Sequence, residues 1–406
     1  MGLTHELRTL TLTERMAARC RLTRAEVAFL RSGHRGHLEV APTGRRGHYR
    51  VTPTGHVGTI LTPESRLVIR SKVPLDNLFH LLDPAAAIPA FDDQTAAVPG
   101  AEAFEFLAGR LAQLLAARAA AGLHRAYAER LAQGAFLQGR LDLPAQLRAH
   151  PGRKDLLHCR YDDFTADVPC NQLARATAEL ALRSPLLGEA VAAALRRVLP
   201  AFAAVNPAPL SPDSFSCATP DGLPAAYRPL LAVCRLLFEG LTADAAAGSL
   251  ACPAFLVNMD DVFEGYVSQE VRRAFESNDR YTVAAQPLYS IGGTGAGQPE
   301  MRVRPDAVVR RAGLPVLVVD AKWKSVPESL IPADVYQALA YCTALGAGRG
   351  VLVYPGRQTR RWQYCLSAGV CLEVHTLRVT GSRPACRRSL ERFGRRLLHD
   401  PAGLNR

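Results

Sequence analysis

Residues 304–322 read Arg-Pro-Asp-Ala-Val-Val-Arg-Arg-Ala-Gly-Leu-Pro-Val-Leu-Val-Val-Asp-Ala-Lys, and they decide the fold of the C-terminal part of the chain. The stretch contains two short valine-rich runs, which are typical of buried β-strands. Arg311-Ala-Gly-Leu314 lies between the runs and supplies a turn. The sequence therefore predicts an antiparallel β-hairpin here.

The polar residues of this predicted hairpin occupy facing positions. With Gly313 at the centre of the turn, Asp306 lies opposite Asp320, and their Cβ atoms are roughly 4.5–5.5 Å apart. Lys322 follows Asp320 by two residues, so the two side chains share one face of the strand. Two carboxylates and one ammonium group thus converge, and a surface ion pair on a hairpin is the alternative interpretation.

Such a cluster suits metal-assisted hydrolysis of a phosphodiester. Mg²⁺ usually takes one or two carboxylates together with water and phosphate oxygens. The bound metal polarises the phosphate and lowers the pKa of water. The lysine can hold the attacking water or stabilise the negative charge that builds in the transition state. We therefore expect Asp306, Asp320 and Lys322 to be catalytic, with Mg²⁺ held by the two aspartates.

The segments around the hairpin predict an α/β arrangement with a mixed sheet. An amphipathic pattern predicts a helix over 260–275, with Asn258 or Asp260 as its N-cap. Strands are predicted at 281–289, 302–310, 315–323 and 350–355, and a second helix at 333–345.

Three further residues on these helices are candidates for supporting roles. Glu264, in the first turn of the predicted helix 260–275, is either a third carboxylate of the site or a solvated helix-face residue. Gln337 and Tyr341 are four residues apart and share a helix face. They would orient the Lys322 region or a DNA phosphate, or else Tyr341 simply packs against the sheet.

The chain before residue 251 predicts two further domains. Residues 1–95 form a β-rich N-terminal domain, with strands at 48–52, 57–61 and 66–70, and Pro84 to Gly100 is a connector. Residues 96–250 form a mainly helical middle region, with helices at 101–131, 171–183, 186–199 and 225–240 and a hairpin region between the first two. Residues 251–406 form the third domain, which carries the candidate site.

The ordered motifs resemble a known family of nucleases. Pro305-Asp306, Asp320-Ala-Lys322 and Gln337-x-x-x-Tyr341 are similar to the PD-(D/E)xK nuclease superfamily. A fuller set resembles the McrC family, the nuclease subunit of McrBC-type restriction systems. It adds the segments 58–60, 67–73, 137–142, 161–171, 255–264 and 350–355. The family's usual Asp-Met-Asn before the helix stands here as Asn258-Met-Asp260.

The resemblance implies fold, activity and partners. It implies a C-terminal restriction-endonuclease-like mixed sheet flanked by helices, preceded by a β-rich domain and a helical region. It implies a DNA endonuclease subunit of a modification-dependent, methylcytosine-directed restriction complex that cleaves double-stranded DNA. The partner would be an McrB-like AAA+ GTPase, which binds GTP, and this chain would contact and stimulate that ring through its N-terminal part.

Composition excludes several other classes of protein. Lys and Arg number 49 against 37 Asp and Glu, a net charge of +12 that suits a polyanionic partner. The four lysines are Lys72, Lys154, Lys322 and Lys324; none follows a glycine, so a P-loop is excluded. No apolar run is long enough for a membrane helix, and the ten scattered cysteines predict a reduced, cytoplasmic setting without zinc.

Two other functions remain open from the residues. The chain could be a non-catalytic adaptor that regulates the GTPase ring, or a stand-alone repair-type nuclease of the same superfamily. The intact set of Asp306, Asp320 and Lys322 favours a nuclease over an adaptor.

Overall fold

The computed structural model describes most of the chain, namely residues 7–73, 81, 103–149, 155–217, 223–242, 254–276, 278–292, 301–324, 332–366 and 369–399. It divides into two compact units: residues 1–100 with 256–406 form unit 1, and residues 101–255 form unit 2. The division into three domains stays a prediction, and the expected connector at 84–100 lies outside the described residues. No helix in the described residues is long and apolar enough to cross a membrane.

Between residues 7 and 73, the N-terminal part of unit 1 consists of short strands and one helix. In chain order these are β1 (Arg8–Thr13), β2 (Ala18–Arg21), α1 (Arg24–Gly33), β3 (Leu38–Pro42), β4 (His48–Pro53), β5 (His56–Leu61) and β6 (Ser65–Arg70). The three predicted strands are confirmed as β4, β5 and β6. A turn in which the Thr62 hydroxyl donates to the Ser65 carbonyl oxygen (2.8 Å) connects β5 to β6.

Unit 2 packs helices around α2 and carries one small antiparallel sheet. Its elements are α2 (Ala103–Ala121), β7 (Ala126–Gly134), β8 (Arg140–Leu141), α3 (Leu143–Ala149), β9 (Leu157–Thr165), α4 (Pro169–Arg183), α5 (Glu189–Val198), α6 (Pro212–Cys217) and α7 (Arg228–Thr242). Strand β9 pairs with β7 along its whole length and with β8. Helices α4, α5 and α7 contact α2 and confirm the later helix predictions.

The helix predicted over 101–131 is wrong beyond Ala121. Gly122 has a φ of +85°, in the left-handed region that commonly ends helices, and β7 begins at Ala126. The residues of β7 include Ala, Glu, Arg and Leu, which favour helix in isolation. Pairing with β9 outweighs that preference, so tertiary context decides the element.

The C-terminal part of unit 1 is a six-stranded mixed sheet with helices packed against it. After β10 (Ala254–Asn258), which joins the sheet of β1, β6 and β5, come α8 (Met259–Glu276), β11 (Tyr281–Ala285), β12 (Tyr289–Gly292), β13 (Met301–Val303), β14 (Ala307–Arg311), β15 (Leu314–Ala321), α9 (Pro332–Leu345), β16 (Arg349–Gly356), β17 (Arg360–Cys365), β18 (Cys371–Arg378) and α10 (Arg383–His399). The strand order of the six-stranded sheet is β11-β14-β15-β16-β18-β17, with β15, β16 and β18 parallel, while β12 and β13 pair with each other in a separate two-stranded sheet. The predicted α/β class is confirmed.

Apolar packing fixes the faces of this sheet. Val318 on β15 packs against Tyr341 and Cys342 of α9, and Leu352 on β16 packs near Ala338 of the same helix. Because side chains alternate along a strand, Asp320 points to the same face as Val318. The apolar part of the strand therefore anchors the position from which the carboxylate projects.

A buried ionic cluster stabilises the far side of the sheet. The Glu373 carboxylate accepts hydrogen bonds from Arg349 Nε (2.6 Å) and Arg361 Nε (3.1 Å), and it lies 2.8 Å from His375 Nε2. Burial opposes the charge of Glu373, but the bonds from His375 and Arg349 outweigh it and lower its pKa to about 2. The sequence gives no sign of this cluster.

Candidate active site

The hairpin of β14 and β15 has the predicted register. Ala307 pairs with Val319 and Val308 with Val318, so Asp306, just before β14, extends the pairing toward Asp320. The turn consists of Ala312 (φ +49°) and Gly313 (φ +81°), the pair of positive φ values that a tight two-residue hairpin turn needs. The register near Asp306 and Asp320 is the predicted one, but the predicted turn centre at Gly313 is wrong. Arg311 pairs with Leu314, and the unpaired Val316 in β15 restores the predicted register beyond it.

Asp306, Asp320 and Lys322 come together as expected. Both aspartates are buried, at 6% and 2% exposure. The Ala321 amide donates to Asp306 Oδ2 (2.6 Å), which ties the first carboxylate to the strand that carries the second. Lys322 Nζ lies 2.6 Å from Asp320 Oδ2, and the Lys322 amide donates to the Val353 carbonyl oxygen (2.8 Å). Neighbouring strands thus fix all three positions.

The charges in this cluster do not balance. Burial, with Asp320 and Glu264 nearby, raises the pKa of Asp306 to about 8, against the opposing effects of the Ala321 amide and Lys322. Burial also raises the pKa of Asp320, although Lys322 opposes the shift. Burial works against the ammonium of Lys322, but Asp320 and Asp306 raise its pKa above the usual value. The single ammonium of Lys322 does not neutralise the carboxyl groups of Asp306, Asp320 and Glu264.

Glu264 belongs to this electrostatic environment. It lies in the second turn of α8, one turn later than predicted, and it is half-buried. Burial and the neighbouring Asp261 raise its pKa to about 6, with Lys322 acting in the opposite direction and Asp320 adding to the rise. The Gln286 side-chain amide donates to Glu264 Oε2 (3.1 Å). Its role as a ligand stays a prediction.

Gln286 was missed by the sequence reasoning, although it connects two parts of the site. Its backbone amide donates to the Asp306 carbonyl oxygen (2.8 Å), while its side chain reaches Glu264. It adopts a φ of +45°, which is uncommon for a residue with a side chain. No local sequence pattern identifies Gln286, because its contacts are with residues of two other segments.

Gln337 and Tyr341 form the predicted pair on α9. Gln337 Nε2 donates to the Tyr341 hydroxyl (2.7 Å). Burial raises the pKa of Tyr341, and among the charges that act on its hydroxyl are Asp320, Lys322 and Asp306. The tyrosine both packs against Val318 and faces the charged cluster, so the two interpretations of it are compatible.

The residues after Lys322 are held by partners that the sequence did not reveal. Lys324 Nζ donates to Asp334 Oδ1 (2.7 Å), and the Tyr354 hydroxyl donates to Asp334 Oδ2 (2.6 Å). Trp323 Nε1 donates to Oε2 of Glu14 (2.8 Å), which is fully buried at the end of β1. The signal available was the lysine at 324, in a chain with 45 arginines and only four lysines.

The N-terminal part also holds the start of α8. The Arg15 guanidinium donates to both carboxylate oxygens of Asp260 (2.7 and 2.6 Å). The Met259 amide donates to the Gly55 carbonyl oxygen (2.8 Å). Asn258 caps the helix, since its side-chain oxygen accepts from the Asp260 amide (3.0 Å). Neighbouring residues 14 and 15 therefore hold both Trp323, next to Lys322, and the helix that carries Glu264.

The donor set fits a hard divalent cation. Within the described residues, no three His, Cys, Asp or Glu side chains are grouped closely enough to form a complete metal cage. Mg²⁺ does not need one, because it commonly keeps several waters and uses one or two carboxylates. The two buried aspartates supply hard oxygen ligands, and a bound cation would favour the ionised carboxylates that burial disfavours. Both observations agree with the metal site expected at Asp306 and Asp320.

Comparison with known proteins reaches the same family. The chain matches a family model described as McrBC 5-methylcytosine restriction system component over residues 51–355. No curated protein matches at a significant level.

Two solved structures are similar. One is a half-complex from a tetradecameric assembly of Thermococcus gammatolerans McrB AAA+ hexamers with bound McrC. It has 18% identity and a TM-score of 0.54, with 95% of this chain and 100% of that chain covered. The other is the cryo-EM structure of the Thermococcus gammatolerans McrBC complex, with 19% identity, a TM-score of 0.44, and 66% and 88% covered. The first likeness supports the fold.

Proposed function

The chain belongs to the family of McrBC 5-methylcytosine restriction system components, and we infer its function from that family. We propose that it is the endonuclease subunit of a methylcytosine-directed restriction complex. It cleaves double-stranded DNA by Mg²⁺-dependent phosphodiester hydrolysis. The observation that carries this proposal is the buried cluster of Asp306, Asp320 and Lys322 at the ends of two paired strands.

Asp306 and Asp320 would hold the magnesium ion. When bound, Mg²⁺ supplies a Lewis acid that polarises the phosphate and makes water more acidic. The aspartates are fixed in advance by the Ala321 amide and by the pairing of β14 with β15. Such a rigid pair loses little freedom on binding the cation, which is the physical advantage of placing it on strands.

Lys322 acts on the reacting groups. Its ammonium lies 2.6 Å from Asp320 and remains partly accessible, with 19% of the side chain exposed. From this position it donates a hydrogen bond to the attacking water or to a phosphate oxygen on which negative charge builds. Glu264 adds a third carboxylate at the edge of the site. Gln337 sets the direction of the Tyr341 hydroxyl toward the Lys322 region.

The partner in this proposal is an McrB-like AAA+ GTPase, which binds GTP. The similar assembly contains McrB AAA+ hexamers with bound McrC. The family resemblance implied that residues 1–95 contact the partner. The exposed apolar side chains of unit 2 indicate a second contact region. Within the described residues of unit 2, all eight exposed large apolar side chains lie between Tyr127 and Phe164, and Phe136 is 86% exposed. Such a concentration of apolar surface is typical of a protein–protein contact.

The test is cleavage by aspartate variants in the presence of the partner GTPase. Asp306→Asn and Asp320→Asn should each abolish cleavage of methylated plasmid DNA while GTP hydrolysis stays stimulated. Asp279→Asn changes an exposed carboxylate in the same unit and is the matched control. Full cleavage by either site variant would refute the nuclease assignment. Loss of GTPase stimulation with cleavage intact would instead point to the adaptor function.

A further inference from the structure

A cavity of about 520 Å³ opens beside the candidate active site, within unit 1. Trp323 and Lys324, the two residues after Lys322, form part of its wall. Pro355 and Gly356, at the end of β16, continue that wall. Because the Lys322 amide donates to Val353 on β16, the cavity and the catalytic cluster are built on the same two strand ends.

The cavity is positively charged. Its lining among the described residues includes Lys72, Lys324, Arg357 and Arg360 and no acidic residue. Lys324 is paired with Asp334. The other three have no carboxylate partner within the described parts of the chain. Unpaired cations around one cavity favour an anionic ligand such as a phosphate.

The cavity is also aromatic. Trp323 and Trp362, the only two tryptophans in the sequence, both line it. The hydrogen bond to Glu14 fixes Trp323 as a buried wall, whereas Trp362 on β17 is 36% exposed. An accessible tryptophan beside a cationic groove is the combination that proteins use to stack single-stranded bases.

We propose that this cavity holds one unpaired nucleotide of the DNA strand, with its base against Trp362 and its phosphate against Arg357 and Arg360. The proposal rests on the proposed nuclease function and adds a subsite next to the scissile phosphate. The volume falls in the range of pockets that hold ligands of nucleotide size. The same side chains would also bind a free nucleotide. The experiment therefore compares a DNA strand with free nucleotides.

Tryptophan fluorescence reports directly on the cavity, since both tryptophans of the chain line it. Full-length protein in EDTA, which prevents cleavage, is titrated with a short oligothymidylate. We expect saturable quenching of tryptophan emission. Measured by anisotropy of a labelled oligonucleotide, Trp362→Ala should raise the Kd about tenfold, the scale of one lost base–aromatic stack. Arg357→Gln and Arg360→Gln should each reduce the salt dependence of log Kd by about 0.7.

Controls separate the cavity from general binding. Arg280→Gln removes an exposed arginine beside β11, at the opposite edge of the sheet, and should bind like the wild type. Thermal melting confirms that each variant is folded. Oligonucleotide binding without quenching would overturn the proposal. Unchanged binding by Trp362→Ala, Arg357→Gln and Arg360→Gln would also overturn it. Quenching by GTP or thymidine monophosphate but not by the oligonucleotide would also overturn it, in favour of a free-nucleotide site.

The nuclease assignment and the subsite fail in different ways. Asp320→Asn should quench with oligonucleotide like the wild type, because it leaves the cavity intact. If Asp320→Asn still cuts DNA while quenching is retained, the nuclease site is wrong and the subsite stands. If that variant loses cleavage but the wild type shows no quenching, the nuclease site stands and the subsite is wrong.

Discussion

Lys322→Arg is the substitution that most sharply tests the chemistry of the site. The chain uses arginine at 45 of its 49 basic positions, so a lysine at 322 is unexpected if only positive charge is needed there. Arginine presents a planar, delocalised fork, whereas lysine presents a compact ammonium that can approach a water or an oxygen closely. The substitution keeps the charge and changes its shape.

The geometry sets the size of the expected effect. Lys322 Nζ lies 2.6 Å from Asp320 Oδ2, and the Asp320 side chain is only 3% exposed. Lys322→Ala would leave that carboxylate buried without a counter-charge, which costs about 3–5 kcal/mol of folding stability. Lys322→Arg avoids this cost, so the fold should persist. Cleavage should nevertheless fall by about 10²-fold, or about 2.7 kcal/mol, the scale of one lost charge-stabilising donor.

The assay compares single-turnover cleavage with GTP turnover in the same mixture. Thermal melting separates the two variants, because Lys322→Ala should melt at a lower temperature and Lys322→Arg close to the wild type. If Lys322→Arg cuts within about threefold of the wild-type rate, the lysine acts only as a charge and the reasoning is refuted. Equal melting of both variants would contradict the electrostatic role of the buried pair.

Three further predictions concern other parts of the chain. Glu14→Gln should weaken the bond to Trp323, lower the free energy of unfolding by about 1–2 kcal/mol and slow cleavage; unchanged melting would show that the contact contributes little. Phe136→Asp should reduce stimulation of the partner GTPase. Leu314→Asp, which changes an exposed apolar residue of unit 1, is the control and should leave stimulation unchanged. Equal effects of the two variants would refute the proposed contact surface. The pKa of Glu373 is held at about 2, below the ordinary 4.5, so its stabilisation is complete above about pH 4.5 and is lost as the pH falls toward 2. Glu373→Gln should remove this acid dependence in urea unfolding and cost about 3–5 kcal/mol at neutral pH; an unchanged acid profile would contradict the shift.

Local sequence patterns predicted the centre of the site because its geometry is local. The hairpin and the period of two, which places Lys322 beside Asp320, follow from local sequence, whereas the exact facing of the aspartates also depends on the unpaired Val316 in β15. The pairing of Gln337 with Tyr341 follows in the same way from the helical period. Register and period depend on neighbours in sequence, so they can be worked out before any tertiary contact is known.

Contacts between distant segments could not be found by the same reasoning. The bond from Trp323 to Glu14 spans 309 positions, and that from Arg15 to Asp260 spans 245. Glu14 and Arg15 resemble any charged pair at the end of a strand, and nothing local shows that one is fully buried. The same limit explains β7, where pairing with β9 overrides helix-forming residues.

The sequence by itself determined the hairpin, the position of Lys322 beside Asp320 and the α/β class. Only the tertiary structure decided that residues 14 and 15 hold both sides of the site and that both tryptophans line one cationic cavity. The physical reason is that backbone periodicity is a property of short segments. Burial and the pairing of buried charges depend on which distant surfaces pack together.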